Sequence, residues 1–317
     1  MKVATIGFFD GVHKGHQFLI RQVVEEAERI GGTSVCVTFA NHPRSVVEQM
    51  KHERMEVRGD RLEIKLLTTQ DEKVKLLKQM GIQEVSLLEF TPEIAMMSAY
   101  DFMKQVLKQK MDVGVLVIGY DHRFGHNRSE GFDDYVRYGK EIGIQIVQAK
   151  AYAENHITVS SSLIRETLLQ GSVAESRKLL GYDYFLEGIV VNGFKVGRRI
   201  GYPTANIEVA PDKLIPCDGV YAVRVEVRGE RLEVRGEKLE VRGEIEGMLN
   251  IGWRPTFNGN KRTIEVNLFD FEGNIYSEHI TIHFVDFLRP EQRFASPEAL
   301  TQQLAIDEQK AREILND

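Results

Sequence analysis

Apolar residues in the first half of the chain follow two alternating patterns. Short runs that are apolar on both faces cover 3–7, 34–39, 85–90, 113–118 and 144–147. Between them apolar residues fall three and four apart, as in Phe18, Val23, Ala27 and Ile30, or Val74, Leu77 and Met80. The first pattern predicts buried strands and the second amphipathic helices, so this half reads as a parallel sheet covered on both sides. Gly31-Gly32 stops the first helix. Asp71 is placed to cap the helix bearing Val74, and Gly81 to end it. Ser98, with Asp101 three residues on, opens another helix, and a further one is expected near 132–142.

From about Tyr184 the period changes to two. Strands are predicted over 185–191, 220–227, 245–251, 263–271 and 275–287, with Glu272-Gly273-Asn274 as a hairpin turn. Consecutive strands without intervening helices favour a closed antiparallel barrel or a sandwich. A helix over roughly 297–315 ends the chain. The expected architecture is therefore an α/β, Rossmann-like domain over 1–182 followed by an antiparallel β-barrel with a terminal helix over 183–317.

One feature belongs to neither pattern. Val227-Arg-Gly-Glu-Arg-Leu-Glu233 is followed by Val234-Arg-Gly-Glu-Lys-Leu-Glu240 and Val241-Arg-Gly-Glu244, and Val57-Arg-Gly-Asp-Arg-Leu-Glu63 stands alone in the first half. A glycine in every unit argues against a coiled coil. The same words in two unrelated contexts suggest insertions near 55–64 and 227–244, each an exposed ribbon or loop without chemistry.

Composition narrows the class. The chain of 317 residues is 42% hydrophobic and 28% charged, with a formal net charge of −6. That suits two globular domains and argues against broad nucleic-acid binding. The longest apolar runs are strand-sized, so no membrane span is expected. The first residues read directly into a strand instead of a secretory signal, and two cysteines, Cys36 and Cys217, cannot build a disulfide framework. A cytoplasmic location follows as an expectation.

The chemistry in the first half centres on Gly7-Phe8-Phe9-Asp10-Gly11-Val12-His13-Lys14-Gly15-His16. Glycines in a strand-to-helix turn let backbone approach a phosphate, and the helix start offers free N–H groups. His13 and His16 can both face that point, where their ring N–H groups would stabilise charge developing on an attacked α-phosphate. A zinc site is the rival use of paired histidines, but no Cys or carboxylate cluster completes it. His42-Pro43-Arg44 and Gly119-Tyr120-Asp121-His122-Arg123-Phe124-Gly125 follow predicted strands, on the crevice side of such a sheet. Ser160-Ser161-Ser162, with Arg165 one turn later, suits β/γ-phosphates; simple capping is the alternative.

In the second half Gly193, Lys195, Gly197, Arg198 and Arg199 lead to Gly201-Tyr202-Pro203-Thr204-Ala205-Asn206. A glycine-rich basic turn can wrap a phosphate chain. Thr204 and Asn206 offer hard oxygens on one side of an extended segment, suited to Mg²⁺ bridging ATP phosphates; an ordinary loop is the alternative. Glu265, on a period-two strand with Thr263 and Asn267, could deprotonate a hydroxyl, or be only a solvated face residue.

These strings, in this order, resemble bifunctional riboflavin kinase/FAD synthetase: the HxGH turn of the nucleotidyltransferase superfamily, the ISSTxIR-like helix start, Leu179-Leu180-Gly181, and the Pro-Thr-Ala-Asn module. The resemblance covers nearly the whole chain. It implies that the first half transfers AMP from ATP to FMN, giving FAD and pyrophosphate, and that the second phosphorylates riboflavin. His13, His16, Ser160, Ser161, Ser162 and Arg165, with Gly7, Phe8, Asp10 and Gly11, would hold ATP for the first reaction. His42, Pro43, Arg44, Asp121 and Arg123 would shape its flavin pocket. Gly193, Lys195, Gly197, Arg198, Gly201, Pro203, Thr204, Asn206 and Arg289 would serve the kinase, with Thr204 and Asn206 on the metal and Glu265 as base. Departures are Phe8, His122, Asn267 and Asn274-Ile275-Tyr276-Ser277. Alternative implications are an enzyme retaining only the adenylyltransferase, or a flavin-binding protein without catalysis.

Overall fold

The computed structural model describes residues 1–55, 64–152, 159–193, 197–228, 232–234, 237–239, 244–256 and 259–316. They pack as two compact units, Met1–Ser161 and Ser162–Asp317. By packing, residues 162–180 thus count with the second unit, whereas the sequence places the division at 182.

Unit one is built on five parallel strands, β1 (Lys2–Ile6), β2 (Thr33–Phe39), β3 (Glu84–Leu88), β4 (Val113–Ile118) and β5 (Gln145–Gln148). Their order in the sheet is β3-β2-β1-β4-β5. Helix α1 (Lys14–Arg29) crosses from β1 to β2, and α2 (Pro43–Met55) and α3 (Gln70–Gln79) lie between β2 and β3. Two short helices, α4 (Pro92–Met96) and α5 (Ala99–Asp101), lead into a π-helix, Phe102–Lys110, before β4, and α6 (Phe132–Ile142) precedes β5. Each sheet face is buried. Ile20, Val23 and Ala27 of α1 pack with Leu77 on one side, and Phe102, Met103, Val106 and Tyr135 pack on the other. Two-sided burial is why the strands read as unbroken apolar runs.

Local chemistry explains most helix boundaries. Ser98 accepts from the Asp101 N–H at 3.0 Å and donates to its carboxylate at 2.6 Å. The expected cap at Asp71 is displaced by two residues. Thr69 accepts from the Glu72 N–H while Glu72 accepts from the Thr69 N–H, a reciprocal capping box that satisfies two otherwise orphaned donors. Gly81 follows at φ 92°, ending α3. Helices α2 and α4 were not expected: α2 has a weak apolar stripe, and α4 is a five-residue turn capped by Thr91.

In unit two, α7 (Ser161–Leu169) and α8 (Val173–Leu180) precede a closed six-stranded antiparallel barrel. Its strands are β6 (Phe185–Val191), β7 (Ala205–Val209), β8 (Gly219–Arg228), β11 (Glu244–Thr256), β12 (Gly259–Leu268) and β14 (His279–Arg289), in the closed order β11-β12-β7-β6-β14-β8. Closure decides between barrel and sandwich, because β6 pairs with both β7 and β14, and β8 with both β14 and β11. Helix α9 (Pro297–Asn316) lays Ala311 and Leu315 against Val220, Ala222 and Met248 on the barrel wall.

The repeat gives β9 (Leu232–Val234) and β10 (Glu237–Leu239), an antiparallel pair. Strand β9 also pairs with β13 (Gly273–Asn274), so this part is a ribbon hydrogen-bonded to the barrel's β12–β14 connection. The lone copy at 57–63 lies outside the described residues. The expected strand 275–287 starts later, at His279, and 263–271 ends earlier, at Leu268, because Asp270 (φ 54°) and Ser277 (φ 66°) turn the chain.

Candidate active sites

The first site lies at the carboxyl ends of β1 and β4. Sheet order makes this the switch point, where the chain leaves β1 toward β2 on one side and meets β4 on the other, opening a crevice. The turn after β1 is built on left-handed backbone at Phe9 (φ 54°), Gly11 (φ 77°) and Val12 (φ 34°). Such conformations cost about 1–3 kcal/mol each at non-glycine residues, and here the surroundings fix them. The Asp10 carboxylate accepts from the N–H groups of Leu67 and Thr68 at 3.2 and 3.1 Å, and Thr68 Oγ1 accepts from the Gly11 N–H at 3.1 Å. Asp10, expected at the nucleotide, is thus a buried brace for the turn.

His13 caps α1, its Nδ1 accepting from the His16 N–H at 3.4 Å. The two rings stack with centroids 3.6 Å apart, and the Phe9 ring meets His16 edge-on at 5.1 Å. Burial lowers the His13 pKa to about 4. His16 is also held well below its ordinary value, first by burial and then by the positive potential of His13, His122 and Lys73. Both are neutral imidazoles at pH 7. His16 Nδ1 and His122 Nε2 are buried without a hydrogen-bond partner among the described residues. Each such atom forgoes about 1–3 kcal/mol until something pairs with it.

Lys73 was not singled out by its sequence context, since it sits among other lysines of an amphipathic helix. It is 3% exposed, donates to the Phe39 carbonyl at 2.9 Å and stands 4.3 Å from the Phe8 ring centroid. Desolvation lowers its pKa to about 8, opposed by the negative charge of Asp10. His42 packs edge-on against Phe8 at 4.5 Å and accepts from the Arg44 N–H at 3.1 Å. Pro43 begins α2, and Arg44 pairs with Glu48 at its exposed surface. Asp121 and Arg123 are exposed. The residue between them, His122, turns inward instead. Ser161 Oγ donates to the Asp10 carbonyl at 2.9 Å, a contact within the first unit; Ser160 precedes it, and Ser162 and Arg165 count with the second unit. Cys36 is buried, which pushes its thiol pKa far up and leaves it as packing.

The second site is on the barrel. Antiparallel register sets Asn250 of β11 opposite Glu265 of β12, and Glu265 opposite Asn206 of β7. Directly paired residues share a face, so Asn250, Glu265 and Asn206 form one polar row. Asn250 was missed because its neighbours in sequence are apolar and its partners are distant. Thr204 Oγ1 donates to Glu265 Oε2 at 3.3 Å, and Glu265 is 7% exposed. Asn267 donates from Nδ2 to the Pro203 carbonyl at 2.7 Å, fixing the Pro-Thr-Ala-Asn segment. A Cβ on Gly193 would overlap the Asn206 amide, and one on Gly197 the Tyr202 carbonyl. Gly201 turns at φ 83°. Lys195 lies outside the described residues, as does the side chain of Arg198.

Beside this row runs an open groove of about 100 Å³, walled by Val190, Pro203, Ala205, Leu268 and Phe271 with Thr204, Asn274 and Tyr276 as polar members. Arg289, expected at a ligand, holds the buried Asp307 of α9 instead, through Nε at 3.0 Å and Nη2 at 2.7 Å. It pins α9 to β14.

No helix among the described residues is long and apolar enough to cross a membrane. Comparison with known proteins gives two family matches, FAD synthetase over residues 1–163 and riboflavin kinase over 180–315. The bifunctional riboflavin kinase/FMN adenylyltransferase of Listeria monocytogenes is 34% identical, with 98% of this chain and 91% of that protein covered. That of Escherichia coli is 33% identical, covering 98% and 92%. A crystal structure from Streptococcus pneumoniae, described as a macrolide-efflux protein, is 30% identical with a TM-score of 0.83, covering 98% of this chain and 94% of that one. The chain belongs to the bifunctional riboflavin kinase/FMN adenylyltransferase family.

Proposed function

We propose that the two sites divide the synthesis of FAD, with adenylyl transfer in residues 1–182 and riboflavin phosphorylation in 183–317. What carries this reading is that two chemically different constellations, a stacked neutral histidine pair at a helix start and a Glu-Thr-Asn row on a barrel, each assemble within one unit.

In the adenylyltransferase, His13, His16 and the backbone of Gly7, Phe8 and Gly11 receive the ATP phosphates, with Asp10 bracing the turn. Neutral imidazoles donate hydrogen bonds to the α-phosphate without the desolvation cost of a buried cation. An FMN phosphate oxygen attacks the α-phosphorus, the bond to the β-phosphate oxygen breaks, and pyrophosphate leaves. Ser160 and Ser161, beside the turn, hold the leaving phosphates. Asp121, Arg123, His42, Pro43 and Arg44 border the flavin.

In the kinase, Glu265 accepts the proton of the riboflavin 5′-hydroxyl, and Thr204 orients the carboxylate. Thr204 and Asn206 are uncharged oxygen donors close to a carboxylate, a set that fits Mg²⁺, which keeps few protein ligands. When bound with ATP the ion would neutralise phosphate charge. Gly193, Lys195, Gly197, Arg198, Gly201 and Pro203 wrap the phosphates, and the groove beside Thr204 borders them. Arg289 acts through Asp307 by fixing α9. The amide of Asn267 supports the Pro-Thr-Ala-Asn loop, which favours a working kinase over an impaired one. Two free cysteines fit a cytoplasmic location.

The test is chromatography of purified protein incubated with ATP and Mg²⁺, once with riboflavin and once with FMN. FMN and FAD are expected from the first, FAD from the second. FAD without FMN synthesis would leave only the adenylyltransferase, and no product in either would remove both assignments.

A further inference from the structure

A third imidazole stands on the loop at the carboxyl end of β4. His122 belongs to the loop that follows β4, the strand beside β1 at the switch point. Its backbone N–H closes a turn onto the Gly119 carbonyl at 3.0 Å, and its ring lies near-parallel to Phe124, centroids 6.2 Å apart. The neighbouring Asp121 and Arg123 project into solvent while His122 is drawn in. A charge on His122 would add to those that hold the His16 pKa down, so the two rings are electrostatic neighbours.

Packing alone does not account for a histidine here. A ring buried only to fill space would be better served by an apolar side chain, or would have its nitrogens paired. Instead Nε2 is buried and finds no partner among the described residues, like Nδ1 of His16. Two unpaired ring nitrogens from two elements therefore stand at the same end of the sheet, beyond the carboxyl ends of β1 and β4, where His13 caps α1. Burial keeps His122 neutral at pH 7, with its pKa at about 4. A neutral ring whose Nε2 is protonated is a hydrogen-bond donor.

We propose that His122 is a third phosphate-contacting imidazole of the adenylyl-transfer site, its Nε2–H donating to a phosphoryl oxygen of the bound nucleotide or flavin. The inference rests on the assignment of adenylyl transfer to this crevice. His122 keeps its proton throughout: the flavin phosphate oxygen forms the new bond to the α-phosphorus, pyrophosphate departs, and the ring stabilises charge on an oxygen bonded to neither leaving nor attacking atom.

The test compares His122→Phe, which keeps a ring and loses the donor, with His122→Asn, which restores a short donor. Both are measured in the full chain for FAD formation from FMN, with thermal melts as the control for folding and FMN formation from riboflavin as the control for enzyme concentration. We expect His122→Phe to lower adenylyl-transfer kcat/KM on the order of 100-fold, His122→Asn to recover part of it, and the kinase to be unchanged. A loss confined to KM for FMN would place the contact on the flavin phosphate, one confined to KM for ATP on the nucleotide, and one in kcat on the transferring phosphorus. Wild-type kcat/KM in His122→Phe, or equal loss in both variants, would overturn the proposal. If the unmodified chain makes FMN but no FAD, the site assignment itself fails, and the proposal with it.

Discussion

His13 and His122 are each held near pKa 4 by burial, against 6.5 for an exposed imidazole. Between those values the folded chain binds fewer protons than the unfolded one. Stability is therefore complete above about pH 6.5 and is lost as pH falls toward 4, by about 3 kcal/mol per ring over the whole window. Thermal melts at pH 7, 6 and 5 should show Tm falling stepwise; a constant Tm down to pH 5 would contradict the burial of these rings. The catalytic counterpart is His16→Ala, expected to reduce FAD formation from FMN on the order of 100-fold or more while sparing FMN formation. Equal loss of both products would argue against separate sites. At this scale the sequence was informative where residue order is itself a geometry: a helix start forces His13 and His16, three apart, onto one side. It was silent on Lys73, whose burial depends on Phe8 from the turn after β1 and Phe39 at the end of β2. It also gave no sign of the distant partners that hold Asp10 and Arg289, namely Thr68 and Asp307.

Elements convert those residues into sites by register. Strand β12 places Glu265 between Asn250 and Asn206, and the close approach of Gly193 to the Asn206 amide sets the depth of β7 against the preceding turn. Gly193→Ala should push that amide aside and lower kinase turnover at least 10-fold, with adenylyl transfer unaffected, in the paired product assay. An unchanged kinase would show that the turn yields without moving Asn206. Strands and long helices were legible from periodicity alone, because burial on one or both faces writes directly into the apolar pattern. Boundaries were less so. Helix α3 is capped by Thr69 instead of Asp71 because Glu72 completes the reciprocal pair, and strand β7 is only five residues long, too short to show a period.

For the whole molecule, the repeat is the element that neither fold requires. Its β9 pairs with two residues of β13, and Gly273 and Asn274 of β13 also line the groove beside Thr204. Excising residues 230–240 is expected to leave FAD formation from FMN unchanged and kinase kcat within about 3-fold, with any effect in KM for ATP, because the Asn250, Glu265 and Asn206 row lies on β7, β11 and β12. A collapse of kinase kcat would show that the ribbon has been recruited to the reaction. The order of motifs and the switch from helical to period-two patterning were enough to set out two folds and two chemistries, since both are local properties of the chain. Barrel closure, the row through Asn250, the inward turn of His122 and the burial of Lys73 were decided by tertiary structure. Each depends on residues tens of positions apart being brought within hydrogen-bond or van der Waals reach, which no local pattern encodes.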